Sequence, residues 1–177
     1  MRMLVFLFVP FFMLLAMPAH AAEWSVGPAP SDDPSMTAAT VRNESGHVLY
    51  LWSREAERRY QVFAELHLAA GETFGAAMPQ YRINGGDSVD TETVRQEGES
   101  YGALWAHVGR EAAFWMVWTS IQQTILPSDA FADWFTGREI EIAYTAADGT
   151  DKTTRFSLAG IANAVQTATG LDTPSGN

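Results

Sequence analysis

Residues 60–68, YQVFAELHL, decide the fold. Val62, Ala64, Leu66 and Leu68 fall on one side of an extended chain, while Gln61, Glu65 and His67 share the other. That period of two is the mark of an amphipathic strand with one face on a core and one in water. Residues 139–144 repeat it, with Ile140, Ile142 and Tyr144 opposite Glu139 and Glu141. The AADGTD that follows at 146–151 contains the turn dipeptide Asp148-Gly149, and Lys152 to Phe156 returns with alternating Thr and bulky residues, so a hairpin is predicted. Two further runs, His47 to Ser53 and Ala112 to Thr119, are apolar or aromatic on both sides, as central strands covered on both faces are.

Two segments leave this rhythm. Ser128 to Thr136 follows Leu126-Pro127, offers Ser128 as an N-cap, sets Phe131, Trp134 and Phe135 on one face and stops at Gly137. This predicts a short helix near 128–136 that lays three aromatics on a sheet. Ser157 is placed to cap a second helix near 158–169, in which Leu158, Ile161, Val165 and Ala168 form a stripe, before Gly170 and a closing contact from Leu171. Many strands with two helices make a mainly β, α+β domain: an antiparallel β-sandwich or a partly open barrel.

The ends read differently. Residues 1–21, MRMLVFLFVPFFMLLAMPAHA, place one Arg before a charge-free apolar run and close on Ala19-His20-Ala21, the pattern of a cleavable export signal. The run is shorter than the roughly 20 apolar residues of a spanning helix, so a retained anchor is the weaker alternative and no membrane span is expected after cleavage. Residues 22–35 form an irregular lead-in rich in proline and acids, 36–171 a single β-rich domain, and 172–177, DTPSGN, a flexible tail. Removing 21 of 177 residues leaves 156, enough for one self-sufficient core.

Composition narrows the classes further. There is no Cys, which rules out disulfides, thiolate metal sites and a lipid-modified cysteine. Together with the compact signal this points to a Gram-negative periplasm, or to the outer surface or medium beyond it. The formal charge of −10 repels phosphate backbones and anionic lipid surfaces, so nucleic acid is not an expected partner. Arg54, Arg58 and Arg59 form a local basic cluster that Glu55 and Glu57 largely cancel.

From residue 81 onward the chain resembles a known family. Tyr81-Arg82-Ile83-Asn84-Gly85-Gly86, an aromatic strand, Leu126 leading to Gly137, then REIEIAY, and Arg155-Phe156-Ser157-Leu158-Ala159-Gly160 followed by Ala162 and Ala164, with Trp24 near the mature start, are similar to the invasion-associated locus B proteins. The resemblance covers about residues 81–168. It implies a β-sandwich-like exported proteobacterial protein, at the periplasm or outer surface, linked by family name to host-cell invasion and without assigned chemistry. This chain lacks the family's cysteines and has Asn84 where an acidic residue is more usual.

Catalytic signatures do not emerge. His47, His67 and His107 form no metal-binding spacing, and there is no nucleophile elbow, no phosphate-cradling glycine loop and no cofactor motif. In the loop from Asn84 to Glu92, Asp87, Asp90 and Glu92 could offer oxygens to calcium, although the spacing is not that of a calcium loop and a tight turn already explains Asn84-Gly85-Gly86. Asp148 and Asp151 invite the same two readings. The aromatic strand Phe114-Trp115-Met116-Val117-Trp118 is the best recognition candidate: alternation sends Phe114, Met116 and Trp118 one way and Trp115 and Val117 the other. Covering of the second face by the helix at 128–136 is the competing explanation. Trp115, Trp105, Arg54 and Arg58 are therefore the interaction candidates. The reading is an exported, cofactor-free binding module with a protein or cell-envelope partner; the alternative is a periplasmic carboxylate-dependent hydrolase, with or without calcium. N-terminal sequencing of the exported form is expected to return Ala22 as its first residue, and an intact Met1 would support the anchor instead.

Overall fold

The structure is a computed structural model that describes residues 23–56, 59–91, 106–121, 124–127 and 133–173. These residues form two antiparallel sheets and one helix. The larger sheet has seven strands: β1 (Ser25–Pro28), β2 (Thr37–Arg42), β3 (Val48–Ala56), β4 (Arg59–His67), β8 (Ala112–Ile121) and β7 (Ala106–Val108) run in that spatial order, and β9 (Thr124–Pro127) pairs with β8. The smaller sheet has the order β11 (Asp151–Ser157), β10 (Glu139–Thr145), β5 (Gln80–Ile83) and β6 (Val89–Asp90). Neither path closes on itself, so the fold is an open, sandwich-like α+β arrangement rather than a closed barrel.

The quoted strand sits where its pattern places it. Val62, Ala64 and Leu66 of β4 are fully buried in the core between the sheets. Doubly apolar β3 and β8 flank β4 on either side, the middle positions their composition predicts. Facing them across the core are Tyr81, Ile140, Ile142, Tyr144 and Phe156 from the smaller sheet. The hairpin is also as read: β10 and β11 pair over seven residues, and Gly149 supplies the positive φ that the connecting turn requires.

Four local expectations change. First, β4's second face does not simply meet water, because Phe63 and Glu65 are buried there. Second, alternation does not run through β8. The register shifts between Val62 and Phe63, so that Phe63 opposes Met116 while Val62 opposes Trp118, and a bulge interrupts the two-residue period. Third, the lead-in is not irregular throughout: β1 lies within it, pairing with β2 as a short edge strand, where Pro28 at its end removes no needed ladder bond. Fourth, the C-terminal helix α1 spans Ile161–Thr169 and begins after Gly160 at φ 86°, with no side-chain cap. Ser157 closes β11 instead, and its hydroxyl accepts from the Ala159 N–H at 3.2 Å.

The apolar stripe of α1 survives that shift. Ile161, Ala164 and Val165 are buried, the helix packs mainly on β2, and Gly170 ends it in a left-handed conformation with Leu171 buried behind. Residues 128–132 of the other predicted helix lie outside the described residues. Its last part is a tight turn in which Trp134 and Phe135 are buried, as their spacing predicts.

Gly137 shows how closely this turn meets the smaller sheet. Its N–H bonds to Asp133 O at 2.7 Å, and a Cβ there would stand 2.5 Å from Ile83 Cγ2 and 2.9 Å from Leu158 Cδ1. Gly137→Ala is expected to lower unfolding free energy by about 1–3 kcal/mol in urea denaturation. Gly27→Ala, where nothing lies within 4 Å, is expected to stay within about 0.5 kcal/mol of the parent.

Candidate interaction surface

Trp115, the first of the interaction candidates, is not at a surface. It is 0% exposed, sits in the core cluster and meets Trp134 edge to face at 6.5 Å between ring centroids. Inward packing of this indole leaves Phe114 and Met116, its neighbours in β8, on the outer face of the larger sheet. Trp105 and Arg58 lie outside the described residues. Arg54 is exposed and belongs to the outer face: its guanidinium stands 5.1 Å above the Phe63 ring, and Nε donates to Gln61 Oε1 at 3.0 Å.

That outer face is aromatic across three strands. Trp52 of β3 pairs in register with Phe63 of β4, and their rings stack at 5.0 Å. Phe63 opposes Met116 of β8 and meets Phe114 edge to face at 6.1 Å. Tyr50 meets His67 at 5.1 Å, and His107 of β7 meets Phe114 at 5.7 Å. Within this group Glu65 is buried, and both of its oxygens are engaged: Oε2 accepts from Trp52 Nε1 at 3.0 Å and Oε1 pairs with His67 Nε2 at 2.8 Å. Phe63 and Met116 are buried yet stand apart from the core cluster, while Tyr50, Trp52 and Phe114 are half-buried.

Sequence reasoning centred this surface on β8 and missed Tyr50, Trp52 and Glu65. The signal was present in the i, i+2 spacing of Tyr50, Trp52 and Arg54, but a strand apolar on both sides does not reveal which side is the core. His67, on the strand face expected to meet water, is held by Glu65 and Tyr50.

Other titratable clusters hold the sheets together. Glu72 Oε2 accepts from Tyr144 OH at 2.9 Å and from His47 Nε2 at 3.1 Å, while Oε1 accepts from Lys152 Nζ at 3.1 Å. One carboxylate thus ties the start of β3 to β10 and β11. These bonds, that of Tyr144 foremost and then that of Lys152, lower the Glu72 pKa, while burial raises that of Tyr144. On the outer face of the smaller sheet, Glu141 is held below its ordinary value by Arg155 and then by Arg82.

Asp87 and Asp90 are exposed, Glu92 lies outside the described residues, and no group of three or more His, Asp or Glu suited to a metal occurs among the described residues. Asp148 is occupied in its turn, accepting from the N–H and hydroxyl of Thr150 at 2.9 and 2.6 Å. Asn84, at φ 50°, forms the turn after β5, and its Oδ1 accepts from the N–H groups of Arg138 and Glu139 at 2.8 and 3.2 Å.

No protein-family model, curated protein or solved structure matches this chain.

The lowered carboxylates set a pH dependence. Glu72 and Glu141 keep their charge in the folded state to lower pH than in the unfolded chain, where the ordinary value is 4.5. Their contribution is therefore complete above that value and lost as pH falls through the folded-state values. Glu141→Gln is expected to be less stable than the parent at pH 7, with the gap narrowing steadily below pH 4.5 in urea titrations. A gap that does not change with pH would contradict this assignment.

Proposed function

We infer that this chain is an exported, non-catalytic binding module of the periplasm or cell surface, related to the invasion-associated locus B proteins. The observation that carries the reading is the second aromatic cluster on the outer face of the larger sheet. A sheet face meant for water is polar, whereas this one presents Tyr50, Trp52 and Phe114 half-buried around a paired carboxylate. Aromatic rings with a polar handle and a nearby arginine are the side chains that anchor protein and envelope partners.

The family relation draws support from space. Tyr81-Arg82-Ile83 lies on β5, the EIEIAY of REIEIAY on β10, and Arg155 to Gly160 joins β11 to α1, so three pieces of the resemblance meet at the smaller sheet, while the aromatic strand and Leu126 belong to β8 and β9 of the larger one. Trp24 joins them by donating to Ser157 O at 2.8 Å. The Asn84 departure is mild in this setting: an Asp there would offer the same oxygen to the Arg138 and Glu139 N–H groups.

The hydrolase reading lacks such support. A catalytic acid needs a carboxyl pKa raised toward neutrality, and the partnered Glu72 and Glu141 both move the other way, so neither suits that role.

Crosslinking in intact cells, with mass spectrometry of what the tagged protein captures, tests the reading. Trp52→Ala is expected to weaken the captured complex by about 2 kcal/mol, roughly thirtyfold, with unchanged circular dichroism. Val26→Ser, at an exposed position on β1, is expected to capture normally. Capture that Trp52→Ala leaves intact would sink the aromatic-face reading.

A further inference from the structure

The outer face of the smaller sheet carries a second surface, independent of the aromatic one. Glu141 lies in register with Arg82 on β5 and Arg155 on β11. Its Oε1 pairs with Arg82 Nη2, and its Oε2 accepts from Arg155 Nε at 2.7 Å and Nη2 at 2.6 Å. The carboxylate is buried, but the guanidinium side chains are 45% and 62% exposed. Nε and Nη1 of Arg82 and Nη1 of Arg155 have no partner among the described residues. Glu139 Oε1 stands 4.0 Å from Arg155 Nε, too far to occupy it.

One step along the same face, Gln80, Ala143 and Thr153 are in register. The short side chains of Ala143 and Thr153 and the longer one of Gln80 floor a cleft of about 460 Å³, walled by Met78, Thr145 and Asp151 and by Lys152, whose Nζ is taken by Glu72. Same-face residues on a strand are two apart, which puts this floor about 6.6 Å from the arginines, with Asp151 about as far beyond it. Asp151 Oδ1 accepts from Thr145 Oγ1 at 2.9 Å, leaving its second oxygen toward solvent. The face is therefore polarised, with spare guanidinium donors at one end, hydroxyl and amide groups in the middle and a carboxylate at the other. Asp90, opposite Gln80, adds to the acidic side.

We propose that this cleft binds an acidic sugar, a single pyranose ring bearing one carboxylate. The ring lies over Ala143 against Met78. Its carboxylate takes the open N–H groups of Arg82 and Arg155, and its hydroxyls bond with Asp151, Thr153 and Gln80. Arginine recognises carboxylates through paired N–H donors, which fixes the orientation of the ligand. A ligand with charge throughout would meet the Asp151 carboxylate, whereas one with hydroxyls at that end satisfies it. The cleft has too little apolar wall for a greasy ligand.

Titration of the purified chain, followed by backbone amide NMR, with glucuronate, glucose and inorganic sulfate as probes tests this. Glucuronate is expected to shift the amides of β5, β10 and β11 and to bind at least about tenfold more tightly than glucose, as a charged hydrogen-bond pair requires. Arg155→Gln is expected to remove that preference. Because loss of Arg155 also disturbs Glu141, Ala143→Leu provides the second arm: it fills the exposed cleft floor and is expected to abolish binding without lowering the melting temperature. The proposal is overturned if glucose binds as well as glucuronate, if sulfate competes equally, or if Ala143→Leu binds like the parent.

Discussion

The contact between Trp115 and Trp134 is the constraint on which the rest of this structure depends. One indole comes from β8 in the larger sheet and the other from the turn that leads into β10, and Tyr81 of β5 completes the group at 5.3 Å from Trp134. Three rings from three parts of the chain are fully buried there, joining the two sheets through their largest side chains. Such pairs contribute beyond the area they bury, because edge-to-face rings attract through their quadrupoles. The contact also acts at a distance. With Trp115 turned inward, the pleat turns Phe114 and Met116 outward, so the packing of the core dictates an aromatic outer face.

Polar links then close the sandwich at its margins. Trp24 caps Ser157 O, and Asn43 donates to Thr154 Oγ1 at 2.6 Å and Arg155 O at 3.0 Å, so two carbonyls along the edge of β11 are covered by side chains from the larger sheet's strands and turns. An edge strand so covered is a poor template for another chain. Glu72 makes the corresponding link at the other end, collecting donors from His47, Tyr144 and Lys152.

Much of this was legible in the residues, and the failures have physical causes. Strand periodicity found β4, the β10–β11 hairpin and the central place of β3 and β8, because burial on one side leaves a mark at every second residue. The helix stripe from Ile161 to Val165 was legible for the same reason. Its start was not, since the turn at Gly160 uses backbone freedom and no cap, while Ser157 has the look of one. The bulge in β8 was invisible, because an extra residue opposite Val62 and Phe63 changes no composition. The recognition candidate was misplaced by one residue for a related reason: in a run apolar on both sides, nothing local says whether Trp115 or its neighbours face the core. Glu65 was read as solvated because its partners, Trp52 and His67, come together only once β3 and β4 pair.

The account divides the aromatic residues into two sets, one that holds the sheets together and one that meets a partner. Hydroxyl-radical footprinting of the purified chain, alone and mixed with a cell-envelope extract, tests that division most directly. The account predicts that Trp115 and Trp134 stay unmodified in both samples, whereas Tyr50, Trp52 and Phe114 are oxidised in the free chain and protected in the mixture. Oxidation of Trp115 in the folded free chain, or protection that leaves Tyr50, Trp52 and Phe114 unchanged, would contradict it.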